Sequence, residues 1–148
     1  MLLDEKQLEK FILDSGLLPR AALDAVRAEA EKSGEKLDVA LVRTGKVSED
    51  DVRRAEAYLL GIPFVNLKNQ KIDYNVLTLI PEPIARSHNI VAFKKTDATL
   101  EVAMLDTDDL AAIDFIKKKT GQKILPRLTD DLSNKSALLL YQKSLRAE

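Results

Sequence analysis

The 148-residue sequence has no cysteine and no tryptophan, one histidine, five glycines and five prolines. Without cysteine there can be no disulfide, no thiol nucleophile and no thiolate metal site. With His88 as the only imidazole, zinc would have to be held almost wholly by carboxylates, a donor set it rarely takes. No metal ligands are predicted. Apolar runs such as Leu77 to Ile80 and Ala137 to Tyr141 fall far short of the roughly 20 residues that cross a bilayer. The opening Met1-Leu-Leu-Asp-Glu-Lys6 lacks a basic segment followed by an apolar one, so it does not read as a signal peptide, and the expected compartment is the cytoplasm. An excess of one charge is also missing. Lys and Arg number 23 against 24 Asp and Glu, which argues against a nucleic-acid surface but leaves room for a local anion site. There is no GxxxxGK followed by Ser or Thr, no GxGxxG, no GxSxG elbow and no HExxH pair. No catalytic residues are predicted, and the chain is not expected to be an enzyme.

What is present is a globular mixture, 45% hydrophobic and 32% charged. The first sixty residues read as four short helices. From Asp4 to Ser15, Leu8, Phe11, Ile12 and Ser15 fall at helical spacing, with Gly16 as the stop. Pro19 sits where a first turn tolerates it, and Ala22, Leu23, Val26 and Ala30 form the stripe of a second helix ending near Gly34. Leu37, Ala40, Leu41 and Thr44 mark a third, closed by Gly45. Ser48 and Asp51 have capping-box spacing and open a fourth through Val52, Ala55 and Leu59 to Gly61. These helices look like two copies of one unit. Shifted by the spacing of Gly16 to Gly45, Leu8 falls on Leu37, Ile12 and Leu13 on Leu41 and Val42, Leu18 on Val47, and Leu23 on Val52. One such helix pair cannot cover its own apolar stripe, so a small bundle of two pairs is expected.

The character changes after Gly61. Phe64, Val65 and Leu67 suggest a short extended segment. Asp73 to Ile80 is expected to be a short helix stopped by Pro81, and Pro83 to Ser87 another helical turn. Ile90 to Lys95 and Thr99 to Leu105 read as two strands joined by a hairpin turn. Asp106 or Asp108 then caps a helix with the stripe Leu110, Ile113 and Ile116, ending at Gly121. Lys123 to Leu128, interrupted by Pro126, reads as an edge strand. Asp130 or Asp131 opens a last helix with Leu132, Leu139 and Leu140 among its buried residues. The fold class is therefore α+β: a helical subdomain of two repeated helix pairs over residues 1–61, then an α/β subdomain over 62–148 with a small mixed sheet and packed helices.

Few groups here carry chemistry. Asp106, Asp108 and Asp109 could hold magnesium or act as a base at a strand end, but one cap with its neighbours favouring the helix dipole accounts for the same pattern. His88, before Asn89, reads as a turn residue, and Lys117 to Lys119 as the solvated end of a helix. Arg27, Arg43, Arg53 and Arg54 could form a basic stripe for an anion. Each has an acidic neighbour such as Glu56, Glu49 or Asp24, so surface pairing is the stronger reading.

The two copies of an apolar pair and Gly, each followed by a Leu/Val helix, run into Gly61-Ile-Pro-Phe-Val-Asn-Leu67. With Leu79-Ile-Pro-Glu-Pro-Ile-Ala-Arg86, Ile90-Val-Ala-Phe93 and Leu100-Glu-Val-Ala-Met-Leu-Asp106, they resemble the N-terminal domain of type II secretion and type IV pilus assembly ATPases. The resemblance implies a non-catalytic domain ahead of a hexameric motor core, with ATP and magnesium belonging to that core. It further implies docking on the cytoplasmic part of an inner-membrane platform protein, so that the chain lies at the membrane only through its partner. The isolated domain would be a monomer and the full-length protein a hexamer. Ser144 to Glu148 reads as a cut within a longer chain.

A subset of the family, the MshEN type, binds cyclic di-GMP through two copies of an Arg-Leu-Gly…Leu-Val-x-x-Gly…Gln motif, and a sensing domain of that type is the alternative reading. The corresponding positions here are Gln7, Leu8, Ile12, Leu13, Leu23 and Glu29 in one copy, and Lys36, Leu37, Leu41, Val42, Val52 and Tyr58 in the other. The apolar frame is kept, but Glu9 and Asp38 stand where the motif has glycine. They add bulk and negative charge where a dianion would lie, and the forked arginine donors are gone. Tight binding of cyclic di-GMP is therefore not expected, and no other cofactor is implied for this domain.

Overall fold

A computed structural model describes residues 3–146, with side chains as far as Gln142. The chain divides into two compact units at Gly61–Ile62. The first holds α1 (Glu5–Ser15), α2 (Arg20–Ser33), α3 (Leu37–Arg43) and α4 (Glu49–Leu60). Asp4 accepts from the Lys6 amide at the start of α1, and Ser48 from the Asp51 amide at the start of α4, so two of the four N-termini are capped locally. At the start of α3, Lys36 has no capping side chain. The Leu37 amide instead donates to Glu5 of α1 at 2.8 Å, a cap supplied from the other helix pair. Leu8, Ile12, Leu23, Val26, Leu37, Leu41, Val52 and Ala55 meet in one core. At helical spacing these positions fall on one face of each helix, and burying that face is what holds short helices together in water. Ser15 ends the α1 stripe but is exposed and turns its hydroxyl back to the Ile12 carbonyl.

The second unit contains α5 (Tyr74–Leu77), α6 (Glu82–His88), β1 (Ile90–Lys95), β2 (Thr99–Met104), α7 (Leu110–Thr120), β3 (Lys123–Leu128) and α8 (Asp131–Arg146). The sheet order is β1-β2-β3. β1 and β2 form the antiparallel hairpin, with Ile90 opposite Met104 and a bulge between Ala92 and Lys94. β3 runs parallel to β2, with Thr99 opposite Lys123 and Met104 opposite Leu128, the arrangement that a helical crossover such as α7 permits. Ile90, Val91 and Ala92 are all fully buried, because helices pack on β1 while α7 packs near β3. The α+β class with a small mixed sheet is thus the observed architecture. No helix among the described residues is long and apolar enough to cross a membrane.

Several local expectations are corrected. The cap of α7 is Asp109, whose carboxylate accepts from the Ala112 amide, while Asp106 instead accepts from the Asp108 amide in the preceding turn. The buried face of α7 also differs from the expected stripe: Leu110, next to the cap, is 70% exposed, Ile113 is partly buried, and Ala112 and Ile116 are buried. On α8, Leu132 and Leu139 are exposed, and the packed positions are Ser133, Asn134, Ala137, Leu138 and Tyr141. The polar pair Ser133 and Asn134 belongs inside because it meets polar groups there. Ser133 accepts from the Leu67 amide, and Asn134 donates to the Asn89 side chain. The Asp73–Ile80 helix stops at Leu77 because Leu79 and Ile80 bond back only three residues, to Val76 and Leu77. β3 is an edge only in part. Pro63 to Val65 pairs along its end through the Val65 amide to Leu128 and the Leu128 amide to Pro63, so the expected extended segment is a single bridge at Phe64. His88 is the last residue of α6, with Nδ1 2.6 Å from Asp109.

Candidate functional site

The residues singled out by the duplicated pattern all lie in the helical unit. Leu8, Ile12, Leu23, Leu37, Leu41 and Val52 are core side chains, and Leu13 packs partly buried against them. Their shape is inherited from the bundle and they present almost no surface. Gln7, Lys36, Val42 and Tyr58 reach solvent, Tyr58 at 73% exposure, and Glu29 is half-buried. Two cavities collect some of these groups. One, of about 670 Å³, brings Gln7 of α1 together with Tyr58 of α4, beside Lys10, Phe11 and Asp14. The Phe11 and Tyr58 rings meet at 5.3 Å, tilted by 42°, and form an aromatic part of the cavity wall. The other, of about 410 Å³, lies between α3 and α4 and gathers Val42 and Val52 with Asp38, Val39, Arg53 and Glu56. Glu29 and Lys36 border neither of these two cavities.

The basic stripe is a set of ion pairs. Arg27 pairs with Glu9, and Arg43 is held in a forked contact by Glu35 at 2.6–3.0 Å, with Glu29 at 3.3 Å. Arg54 pairs with Asp50, and Arg53 lies 3.8 Å from Glu56. Glu56 is not the surface partner that the sequence suggests. It is 2% exposed, and burial, then a hydrogen bond and the negative charge of Asp38, push its carboxyl up to about 8 against the pull of Arg53. The signal was present: Val52, Ala55, Glu56 and Leu59 have the spacing of a buried helix face, with a carboxyl in its middle. Phe11, likewise, belonged to the stripe of α1 without being assigned to a site. Among the described residues, no three His, Asp or Glu side chains converge as a metal site.

The sequence model of the MshEN domain family matches residues 60–148. The chain belongs to that family. The matched segment covers the sheet-bearing unit, whereas the duplicated helix pairs precede it. Among curated proteins, the type IV pilus assembly ATPase PilB of Myxococcus xanthus is 27% identical over 135 residues, and PilB of Thermus thermophilus 28% over 137. Each alignment takes in 91% of this chain, which spans 24% and 15% of those two proteins. Among solved structures, MshE with cdg shares the fold at a TM-score of 0.72 and 21% identity, covering 90% of this chain and 97% of that one. The N-terminal domain of XpsE matches at 0.58 and 23% identity, covering 93% and 96%. This MshEN chain is thus a domain of the kind carried by type IV pilus assembly ATPases.

Proposed function

We propose that this MshEN chain is a non-catalytic interaction domain of a pilus or secretion assembly ATPase, docking the motor onto the cytoplasmic part of an inner-membrane platform protein. ATP and magnesium would serve a motor core elsewhere in such a protein. The observation that carries this reading is the state of the arginines. Arg27 is neutralised by Glu9, and Arg43 by Glu35 with Glu29 as a further contact; Glu9 and Glu29 stand at positions where the ligand-binding motif has glycine and glutamine. Residues 2–61 carry thirteen acidic against ten basic side chains, a balance of −3, which repels a dianionic nucleotide and suits a basic protein surface. Titrating the chain against the cytoplasmic domain of the cognate platform protein tests the proposal. Saturable binding is expected, and none at high micromolar concentration would remove it.

A sensing domain for cyclic di-GMP is the second reading, favoured by the fold shared with MshE with cdg. Calorimetry with the dinucleotide separates the two. A submicromolar dissociation constant would reverse their order.

A further inference from the structure

The cavity between α3 and α4 holds a carboxyl group that hydrogen-bonds with Asp38 but has one oxygen left unmet. Glu56 is buried and lines the cavity, and its Oε1 has no hydrogen-bond partner among the described residues. Arg53 Nη1 stands 3.8 Å away, beyond hydrogen-bond reach. A desolvated carboxyl oxygen without a donor carries its full penalty, so such a group calls for a compensating partner. Asp38 adds a second carboxyl from α3. Arg43, which borders the same cavity, is drawn away by Glu35 and Glu29. Around the carboxyls the wall is apolar, with Val39 51% and Val42 36% exposed.

We propose that this cavity receives the side chain of a lysine on a partner protein, its methylene stem lying along Val39 and Val42 and its ammonium donating to the carboxyls of Glu56 and Asp38. The assignment rests on the docking function above and names the chemistry of the partner's contact. A lysine couples an apolar four-carbon stem to a compact head with three rotatable donors, which matches an apolar collar over two carboxyls. A phosphate or nucleotide would meet charge of its own sign. A metal ion lacks a third side-chain ligand here among the described residues.

Protonation gives the contact a signature. Among the described residues the charged groups facing Glu56 are Asp38 and Arg43 on α3 and Glu49 and Arg53 on α4, and the charge of the chain's N-terminal amine also pulls on it, so the peptide titration is repeated on N-terminally acetylated chain. Since burial and Asp38 hold the Glu56 proton up to about 8, an arriving ammonium must displace it, and binding strengthens as the solution becomes alkaline. An ion pair between lysine and ordinary surface carboxylates would be flat over the same range.

The test is a titration of the methyl-labelled chain with acetyl-Leu-Lys-Leu-amide, read at the Val39, Val42 and Val52 methyl signals, with acetyl-Leu-Gln-Leu-amide as control. Saturable shifts are expected from the lysine peptide only, about tenfold tighter at pH 9 than at pH 7. They should vanish in Glu56→Leu and weaken in Asp38→Asn, with the remaining methyl spectrum reporting that each variant is folded. No shift at pH 9, or an equal response to the glutamine peptide, overturns the assignment. Platform-domain binding undiminished in Glu56→Leu would also overturn it while leaving the docking function intact. Loss of platform-domain binding in that variant supports it. A lysine peptide that binds while the platform domain does not would uphold the cavity's preference and remove the docking function.

Discussion

Glu56 and Asp109 show how the same functional group is moved in opposite directions by its surroundings. Asp109 lies below its ordinary 3.8 because His88 hydrogen-bonds its carboxylate and the Ala112 amide donates to it, outweighing burial. Its contribution to stability is present above that value and is lost as pH falls through the lower folded one. Asp109→Ala removes both contacts and should cost about 1 kcal/mol in urea unfolding at pH 7. Glu56 behaves in reverse. In the unfolded chain it ionises near 4.5 and in the folded chain near 8, so between those values unfolding releases a proton. Stability therefore declines as pH rises across that interval and levels off above it. Glu56→Gln should flatten the decline in urea midpoints measured from pH 5 to 8.5. Glu56→Leu should raise the midpoint at pH 8.5, since it replaces a buried acid with an apolar side chain of similar length. A midpoint for the unchanged chain that does not fall between pH 5 and 8.5 would contradict the placement of this carboxyl.

At the level of elements, the glycine stops of α1, α2, α4 and α7 were the most legible feature, because such stops act within a few residues. Gly16 closes α1 with φ +74°, and nothing lies within 4 Å of an added Cβ, so Gly16→Ala isolates the backbone term. That substitution should destabilise by about 1–2 kcal/mol in thermal or urea unfolding. The faces of α7 and α8 were less legible. Leu110, Leu132 and Leu139 are apolar and exposed, while Ser133 and Asn134 are polar and buried, because hydrogen-bond partners distant in sequence decide the inward side. The end of α5 is decided in the same way. Tyr141 of α8 places its hydroxyl 2.7 Å from the Ile80 carbonyl and 3.1 Å from that of Leu77, meeting groups that a finished helix leaves free. Burial, with Glu82 adding to it, raises the Tyr141 pKa, so the hydroxyl stays protonated and able to donate. Tyr141→Phe leaves those carbonyls short of a donor and should lower stability by about 1–2 kcal/mol.

For the molecule as a whole, the duplicated helix pairs and the membership in the MshEN family set the question of what the helical unit recognises. Restoring the motif in both copies, with Gln7→Arg, Glu9→Gly, Glu29→Gln, Lys36→Arg, Asp38→Gly and Tyr58→Gln, should create measurable cyclic di-GMP binding by calorimetry where the unchanged chain is expected to show none below micromolar concentration. The glycine placed inside α1 by Glu9→Gly will cost roughly 1 kcal/mol of stability, so the variant should be compared at a temperature where it remains folded. Failure of the restored chain to bind would mean that the apolar frame no longer presents those positions to a ligand.

By itself the sequence determined the four helices of the first unit, the duplication, the hairpin, a small mixed sheet and the family, because periodicity, glycine stops and turn chemistry are short-range and leave their mark in spacing, whereas the parallel pairing of β3 with β2 came from the structure. Only the tertiary structure decided that the arginines are tied up by carboxylates, that Glu5 caps a helix thirty-two residues away and that Glu56 lies buried against Asp38. Those outcomes depend on which side chains meet across the core. Sequence spacing alone does not specify such meetings, since a charge on a helix costs little in water and much once a neighbouring helix has covered it.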